Sequence, residues 1–196
     1  NMAEGVYLLA LSPAQGAIVS TAAKGRSLAV IILAAGQGTR MKSSLHKVLH
    51  PVAGRPMLLH LLAMVESLGV ERKVVVVGAG REQVEAAVAG HGVNIVVQAE
   101  QLGTGHAVAQ AREALGHFAG DVLILYGDVP LVRAETMRAM IERLNMGDEP
   151  RSVVLGFRPD DAAAYGRIIA SEQGLIEKMV EFKDALPMTA TGKILK

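Results

Sequence analysis

Three absences limit what this sequence can encode. It has no cysteine, which excludes disulfide bonds, thiolate metal sites and a cysteine nucleophile, and which fits a cytoplasmic protein. It has no long apolar run, because Leu28–Ala35 and Val74–Val77 are far shorter than the ~20 residues of a membrane-spanning helix. It has no excess of one charge, with 20 Lys and Arg against 19 Asp and Glu. We therefore expect a cytoplasmic protein that binds neither a membrane nor a nucleic acid, since the latter needs a clustered basic excess.

The remaining composition is that of a globular domain. Hydrophobic residues make up 51% of the 196 residues and charged residues 20%, enough apolar material for one domain with its own core. We expect this domain to span residues 27–185, with residues 1–26 as a leader outside it and residues 186–196 as a tail. The leader contains an apolar run at Val6–Leu11, but Glu4 precedes that run and the basic segment of a signal peptide is missing.

Segments typical of strands and helices alternate along the domain. Val- and Ile-rich runs predict strands, and apolar residues at helical spacing predict helices. The predicted strands are Leu28–Leu33, Lys73–Val77, Val93–Val97, Val122–Tyr126, Ser152–Phe157, Arg167–Ala170 and Ile176–Glu181, and the predicted helices are Pro56–Gly69, Glu82–Val88, Gly103–Leu115 and Arg133–Leu144. This alternation predicts a Rossmann-like α/β domain with a mostly parallel sheet and flanking helices. Ligands of such sheets bind beyond the carboxyl ends of the strands.

A glycine-rich loop, Leu33–Met41, follows the first predicted strand directly. Glycines let the backbone approach a ligand, and successive N–H groups in such a turn form an anion site. Arg40 adds a cationic fork, and Lys47 adds a second charge seven residues later. The alternative is a plain tight turn, and the loop matches neither the dinucleotide fingerprint nor a P-loop. The two cations favour binding of a triphosphate.

Several motifs together resemble a known family. They lie in the family's order at near-family spacing: Leu33–Met41, Lys47–His50, Gly54–Met57, Gln98–Ala107, Leu125–Leu131, Tyr165–Ile168 and Val180–Ala185. The first three resemble the nucleotidyltransferases that make activated sugars. The later ones are similar to the bacterial bifunctional N-acetylglucosamine-1-phosphate uridyltransferase/glucosamine-1-phosphate acetyltransferase, and the resemblance covers the N-terminal part of its uridyltransferase domain.

The resemblance implies a role for each matching position. The nucleotide would be lined by Leu33, Ala34, Ala35 and Gly36; the phosphates would meet Arg40 and Lys47; the uracil would be held by Gln98, Gly103 and Thr104; the ribose and phosphates would lie on Tyr126, Gly127 and Asp128; and the amino sugar would contact Gly166 and Glu181. Asp128 would also bind Mg²⁺, the implied cofactor. The implied substrates are UTP and N-acetylglucosamine-1-phosphate.

The residue chemistry agrees with these roles but leaves alternatives. Asp128 follows a buried strand, and Mg²⁺ often takes one carboxylate together with phosphate oxygens; the alternative is a turn aspartate. Gln98 offers a donor and an acceptor to the edge of uracil; the alternative is a polar residue at a strand end. Gly103 and Thr104 open a helix whose free N–H groups could hold a ligand oxygen; the alternative is ordinary capping by Thr104.

The six histidines give no metal-ligand pattern. His46 and His50 are four residues apart, but no Glu stands between them as in a metalloprotease motif, and Pro51 follows at once. We interpret both as structural.

By resemblance, the enzyme is a UDP-N-acetylglucosamine diphosphorylase that serves the synthesis of peptidoglycan and lipopolysaccharide precursors. A phosphate oxygen of the sugar-1-phosphate attacks the α-phosphorus of UTP and pyrophosphate departs, without a protein nucleophile. The family's domain continues beyond the Val180–Ala185 segment and supplies there an Asn for the sugar and an Asn for Mg²⁺, so we expect a domain truncated at its C-terminal side. Two alternatives stay open: a nucleotide-binding fragment without turnover, and a nucleotidyltransferase for another nucleotide. A homo-oligomer is also left open.

Overall fold

A computed structural model describes residues 6–11, 26–36, 38, 41–146, 150–160 and 165–180. The strands in these residues are β1 Val6–Leu11, β2 Ser27–Ala34, β3 Pro51–Val52, β4 Arg55–Pro56, β5 Arg72–Val77, β6 Asn94–Val97, β7 Gly120–Tyr126, β8 Ser152–Phe157, β9 Arg167–Ala170 and β10 Ile176–Val180. The α-helices are α1 Met57–Glu66, α2 Arg81–Val88, α3 Thr104–Gln110, α4 Arg112–Leu115 and α5 Ala134–Leu144, and a 3-10 helix covers Lys47–Leu49.

The first of two compact units, Ala23–Arg138, is built on a four-stranded parallel sheet. The strand order is β6-β5-β2-β7, and both neighbours of β2 run parallel to it. Helices lie between successive strands in the chain, as a parallel sheet with crossover connections requires. The predicted α/β fold with a parallel sheet and flanking helices is therefore confirmed.

The central strands are buried on both faces. All four valines of Val74–Val77 are completely buried, which explains why the sequence shows a continuous apolar run instead of an alternation. On one face Ile31, Val74 and Val76 pack against Ala107 and Ala111. Alanine at these two positions lets the helical backbone come close to the sheet. Each fully buried valine or isoleucine contributes about 1.5–3 kcal/mol to folding.

The strand β7 differs because it lies at the edge of the sheet. Leu123 and Leu125 are buried, whereas Val122, Ile124 and Tyr126 are at least 40% exposed. Side chains alternate between the two faces of a strand, so one face of β7 is covered and the other is open. The Tyr126 ring at the carboxyl end of β7 is on the open face.

The second unit consists of Asn1–Ala22 and Ala139–Lys196. Within it β1 pairs antiparallel with β8, from Val6↔Phe157 to Leu11↔Ser152, and β10 pairs antiparallel with β9. The strand β8 was expected as a fifth strand after the parallel ones, but its hydrogen-bonded partner is β1, which the sequence reasoning left unassigned. The proposed boundaries at residues 26 and 186 stay predictions.

Two local features depart from the sequence-based expectation. The predicted helix Gly103–Leu115 is two helices, α3 and α4, because the Ala111 amide bonds to the Val108 carbonyl three residues back instead of continuing the α-helical pattern. A short hairpin, β3–β4, was not predicted. Its turn residues Ala53 and Gly54 both have positive φ, at 49° and 78°, which is typical of a type I′ turn. Among the described residues, no helix combines the length and apolar character needed to span a membrane.

Candidate active site

The carboxyl ends of two neighbouring parallel strands bring the glycine loop and Asp128 together. The register pairs Leu33 of β2 with Tyr126 of β7, and the next amide, that of Gly127, donates to the Leu33 carbonyl at 2.9 Å. A Cβ on Gly127 would lie 3.1 Å from the Leu33 carbonyl oxygen, so the two chains touch at this point. Asp128 therefore emerges beside the loop that follows β2, at the sheet edge where parallel sheets bind their ligands.

A cleft of about 300 Å³ opens at this edge, within the first unit. Ten of the predicted site residues line it: Leu33, Ala34, Ala35, Gly36, Lys47, Gln98, Gly103, Thr104, Tyr126 and Asp128. Three lining residues were missed, namely Val48, Gln101 and Ala107. The predicted residue Gly127 is not part of this lining, although its amide bonds to the carbonyl of Leu33, which is.

The glycine loop and Lys47 are packed against each other. Gly38 has φ +62°, a conformation that favours glycine, and its carbonyl accepts a bond from the Met41 amide at 2.8 Å. A Cβ on Gly38 would be 2.7 Å from Cβ of Lys47. Glycine is thus needed at position 38 because of the positive φ and because of the close approach of Lys47. This close approach places the Lys47 stem directly over the loop.

Lys47 and Asp128 form an ion pair inside the cleft. Their side chains remain 39% and 29% exposed, so the pair contributes little to stability. Each charge can accordingly exchange its partner for a ligand at small cost. The arrangement offers an ammonium group to phosphate oxygens and a carboxylate to a hard cation.

The other side of the cleft is built from amides that are already hydrogen-bonded. Gln98 is only 5% exposed, and its backbone amide donates to the Val77 carbonyl at 2.8 Å. Its side-chain Nε2 lies 3.3 Å from the Gly103 carbonyl and 3.0 Å from Nδ1 of His106. No described residue donates to the side-chain oxygen of Gln98. We expected Gln98 to offer a ligand both a donor and an acceptor. Because its Nε2 is engaged, the side chain offers a ligand its oxygen alone, as an acceptor.

His106 supports Gln98, a role that the sequence reasoning did not assign. Its Nε2 lies 3.1 Å from the Gln110 side chain, which stands one helical turn further along. The signal available in the sequence was the spacing of His106 and Gln110, which puts them on one face of a helix. The bond to Gln98 carries no such signal.

Gln101 connects the two sides of the cleft. Its Nε2 donates to the Ala35 carbonyl at 2.8 Å, across 66 positions in the chain.

Thr104 does not cap α3: the N-cap is Gly103, with φ +99°, and this helix has no side-chain cap. The capping alternative for Thr104 is therefore wrong, and both residues face the cleft.

For three predicted site residues the described structure gives no position in the cleft. Arg40 and Glu181 lie outside the described residues. Gly166 belongs to the second unit, immediately before β9, where its carbonyl accepts a bond from Arg167 at 3.4 Å. The proposed roles of all three stay predictions.

Of the two histidines interpreted as structural, His46 is buried and His50 is half-buried. His46 is 5% exposed, and both of its ring nitrogens are buried without a hydrogen bond to a described residue, as is Nε2 of His50. Burial without a partner lowers the pKa of His46 below its ordinary value of 6.5. In the described part of the chain no group of three or more His, Asp or Glu could hold a metal.

Residues 30–174 match the family model of the MobA-like NTP transferase domain. The chain belongs to this family. Curated proteins similar to it are the bifunctional protein GlmU of Rhizorhabdus wittichii, 66% identical over 160 residues, and that of Novosphingobium aromaticivorans, 66% identical over 158 residues. These alignments cover 82% and 81% of the chain but 35% of each relative, so the chain spans about a third of their length.

Two solved structures share the fold. HddC from Yersinia pseudotuberculosis, complexed with GMP-PN, superposes with a TM-score of 0.56 at 22% identity, over 78% of this chain and 68% of HddC. The 4-diphosphocytidyl-2C-methyl-D-erythritol synthase of Anaerococcus prevotii gives a TM-score of 0.53 at 17% identity, over 79% and 64%. At these identities the likeness concerns the fold alone.

Proposed function

We propose that this chain carries the uridyltransferase site that joins UTP and N-acetylglucosamine-1-phosphate to UDP-N-acetylglucosamine, with release of pyrophosphate. One observation carries the proposal: the glycine loop, Lys47 and Asp128 share a cleft with the amide-rich segment Gln98–Thr104. Charges suited to a triphosphate and hydrogen-bonding groups suited to a base thus occupy one cavity. The high identity to GlmU proteins supports the choice of UTP and of this sugar phosphate.

Recognition of the base would rest on Gln98. Since its Nε2 is engaged by Gly103 and His106, the side-chain oxygen is left to accept a hydrogen bond from the ligand. Uracil presents an N–H donor on its pairing edge, whereas cytosine presents an acceptor nitrogen at the same place. A buried acceptor that meets another acceptor is strongly disfavoured, so this geometry favours UTP over CTP.

Mg²⁺ fits the residues on the phosphate side. This ion prefers oxygen and commonly takes one or two carboxylates together with substrate phosphates, and Asp128 supplies such a carboxylate beside the glycine loop. When bound, the ion would supply neutralisation of the charge on the triphosphate.

The residues of this chain would act by orientation and charge. A phosphate oxygen of the sugar-1-phosphate would form a bond to the α-phosphorus of UTP, and the bond from the α-phosphorus to the oxygen between the α- and β-phosphates would break, so that pyrophosphate leaves with that oxygen. Lys47, released from Asp128, would hold the phosphate oxygens and offset the charge that gathers on the leaving group. Backbone amides of the glycine loop would fix the phosphates so that attacking and leaving oxygens are in line.

The remaining substrate contacts belong to the same proposal. Arg40 would add a second cation to the phosphates, and Gly166 and Glu181 would contact the amino sugar. We place the reaction in the cytoplasm, in the synthesis of cell-wall precursors. The oligomeric state is left open, with a homo-oligomer as one option.

A pyrophosphate-release assay with UTP, N-acetylglucosamine-1-phosphate and Mg²⁺ tests the proposal directly. We expect release that requires all three components. A companion thermal-shift series with UTP, CTP, ATP and GTP ranks the nucleotides, because a bound ligand stabilises by mass action. Stabilisation by UTP without pyrophosphate release would identify a nucleotide-binding fragment, the alternative left open above. A higher rank for another nucleotide would refute the choice of UTP.

A further inference from the structure

The peptide between Ala35 and Gly36 is held from two sides. On one side its carbonyl oxygen lies against Gly78, where an added Cβ would be only 2.7 Å away. On the other side the same oxygen accepts the bond from Nε2 of Gln101 at 2.8 Å. The orientation of the Gln101 amide is determined, because the reverse orientation would place two oxygens 2.8 Å apart.

Fixing this carbonyl also fixes an amide in the glycine loop. The peptide bond is planar, and no described peptide bond is cis, so the Gly36 N–H points away from the Ala35 carbonyl. No described residue accepts a hydrogen bond from this N–H. Gly36 lines the cleft, so the amide is available to an anionic ligand in a direction that the Ala35 carbonyl sets.

We propose that Gln101 is a positioning residue, which holds the glycine loop in its anion-binding shape through the Ala35 carbonyl. Gln101 lies in the segment Gln98–Thr104, which would contact the base, and its hydrogen bond reaches Ala35 in the glycine loop, which would contact the phosphates. Gln101 therefore connects the base side of the cleft to the phosphate side. The inference rests on the proposed function for the identity of the ligand, a nucleoside triphosphate. The positioning role depends on a contact between two segments, the glycine loop and Gln98–Thr104.

The bond can be removed with little loss of packing. Gln101 is an exposed residue, and the hydrogen bond to Ala35 is the side-chain contact described for it. Gln101→Met keeps the length and the neutral charge but removes the donor, and Gln101→Ala removes the side chain. Glu100→Ala is the matched control, since Glu100 is an exposed neighbour outside the cleft lining.

Isothermal titration of the four proteins with UTP, uridine and inorganic pyrophosphate tests the inference. We expect both Gln101 variants to bind UTP and pyrophosphate about tenfold more weakly, with uridine affinity unchanged within about twofold. The Glu100 variant should bind all three like the parent. Amide spectra of the ligand-free proteins should show a displaced Gly36 resonance in both Gln101 variants and not in the control.

The outcomes separate this inference from the proposed function. If Gln101→Met binds pyrophosphate as tightly as the parent and leaves the Gly36 resonance in place, the positioning role is wrong even when UTP is the right substrate. If the parent prefers another nucleotide while pyrophosphate binding still depends on Gln101, the choice of UTP fails and the positioning role stands. Equal losses for uridine and pyrophosphate would overturn the role, because they would show a general disturbance of the cleft.

Discussion

The two sides of the cleft are built on different principles. On the base side, Gln98–Thr104, hydrogen bonds to Gly103 and His106 hold the Gln98 side chain and leave its oxygen open to a ligand. The phosphate side consists of a glycine loop and an ion pair between two partly exposed side chains, Lys47 and Asp128. Under the proposed function, the hydrogen-bonded base side would select the nucleotide, whereas the phosphate side would exchange partners and act on the reacting groups. Changes on the base side should alter affinity and choice of nucleotide, and changes on the phosphate side should alter turnover.

Lys47→Ala should have the largest effect and would test the phosphate side. Removing one charge that stabilises a developing anion lowers turnover by roughly 100- to 1,000-fold. The free energy of unfolding should change by less than about 1 kcal/mol, since the ion pair is partly exposed. Pyrophosphate release and urea denaturation measure the two quantities, with Lys42→Ala as the control at an exposed lysine. Equal turnover in the Lys47 variant and the parent would refute the assignment.

Gln98→Glu should have the second-largest effect and would test the base side. The carboxylate cannot donate to Gly103 or His106, and losing hydrogen bonds to these partly buried groups costs about 1–3 kcal/mol. UTP affinity should therefore fall by roughly 10- to 100-fold, with a smaller preference over CTP in competition titrations. Gln110→Ala, which touches His106 and is not part of the cleft lining, should show the same trend at smaller size. A variant with unchanged nucleotide preference would contradict the selecting role of Gln98.

Gly38→Ala would sharpen the comparison by moving Lys47 without removing its charge. The positive φ of Gly38 costs an alanine roughly 1 kcal/mol, and the new Cβ would collide with Lys47. Gly90→Ala is the matched control, because Gly90 has φ +83° but open space around its Cα. Both variants should lose similar stability in urea denaturation, and we expect weaker pyrophosphate binding in the Gly38 variant alone. Equal binding by the two variants would show that the loop does not place Lys47.

His46→Leu should give the smallest effect, visible as a pH dependence. Burial lowers the pKa of His46 in the folded protein, so below pH 6.5 the unfolded chain binds a proton that the folded protein does not. His46 therefore lowers stability as the pH falls below 6.5, by at most about 1.4 kcal/mol per pH unit. Urea denaturation at pH 7.5 and 5.5 should show a smaller loss for His46→Leu than for the parent. The exposed His117→Gln serves as the control, and an identical loss in all three proteins would contradict the cause.

Local patterns were enough to predict the sheet and the strand-end residues. The continuous apolar runs around Ile31 and Val75 predict buried parallel strands, and parallel strands bring their carboxyl ends to the same edge of the sheet. Asp128 follows from that rule, because it comes just after the end of β7 at Tyr126, whereas Lys47 was proposed from its place after the glycine loop and from the family resemblance. The ion pair between the two side chains was not predicted.

The missed features depend on contacts that leave no local signal. Gln101 meets Ala35 across 66 positions, and nothing in its own segment indicates that carbonyl. The turn at Ala53 and Gly54 was missed because its strands are two residues long and both contain proline, which usually argues against a strand. The pairing of β1 with β8 joins segments more than 140 positions apart, beyond any periodicity that a window can detect.

The distribution of the cleft over separate strands has a consequence for how such sites diversify. Under the proposed function, the segment Gln98–Thr104 that would contact the base follows β6, while Lys47 and Asp128 follow β2 and β7, so the base contacts and the reacting charges belong to separate segments. Replacing Gln98–Thr104 should then change the choice of nucleobase and leave the proposed transfer chemistry in place. The replacement would need to retain one feature of Gln98–Thr104, a side-chain amide that donates to the Ala35 carbonyl.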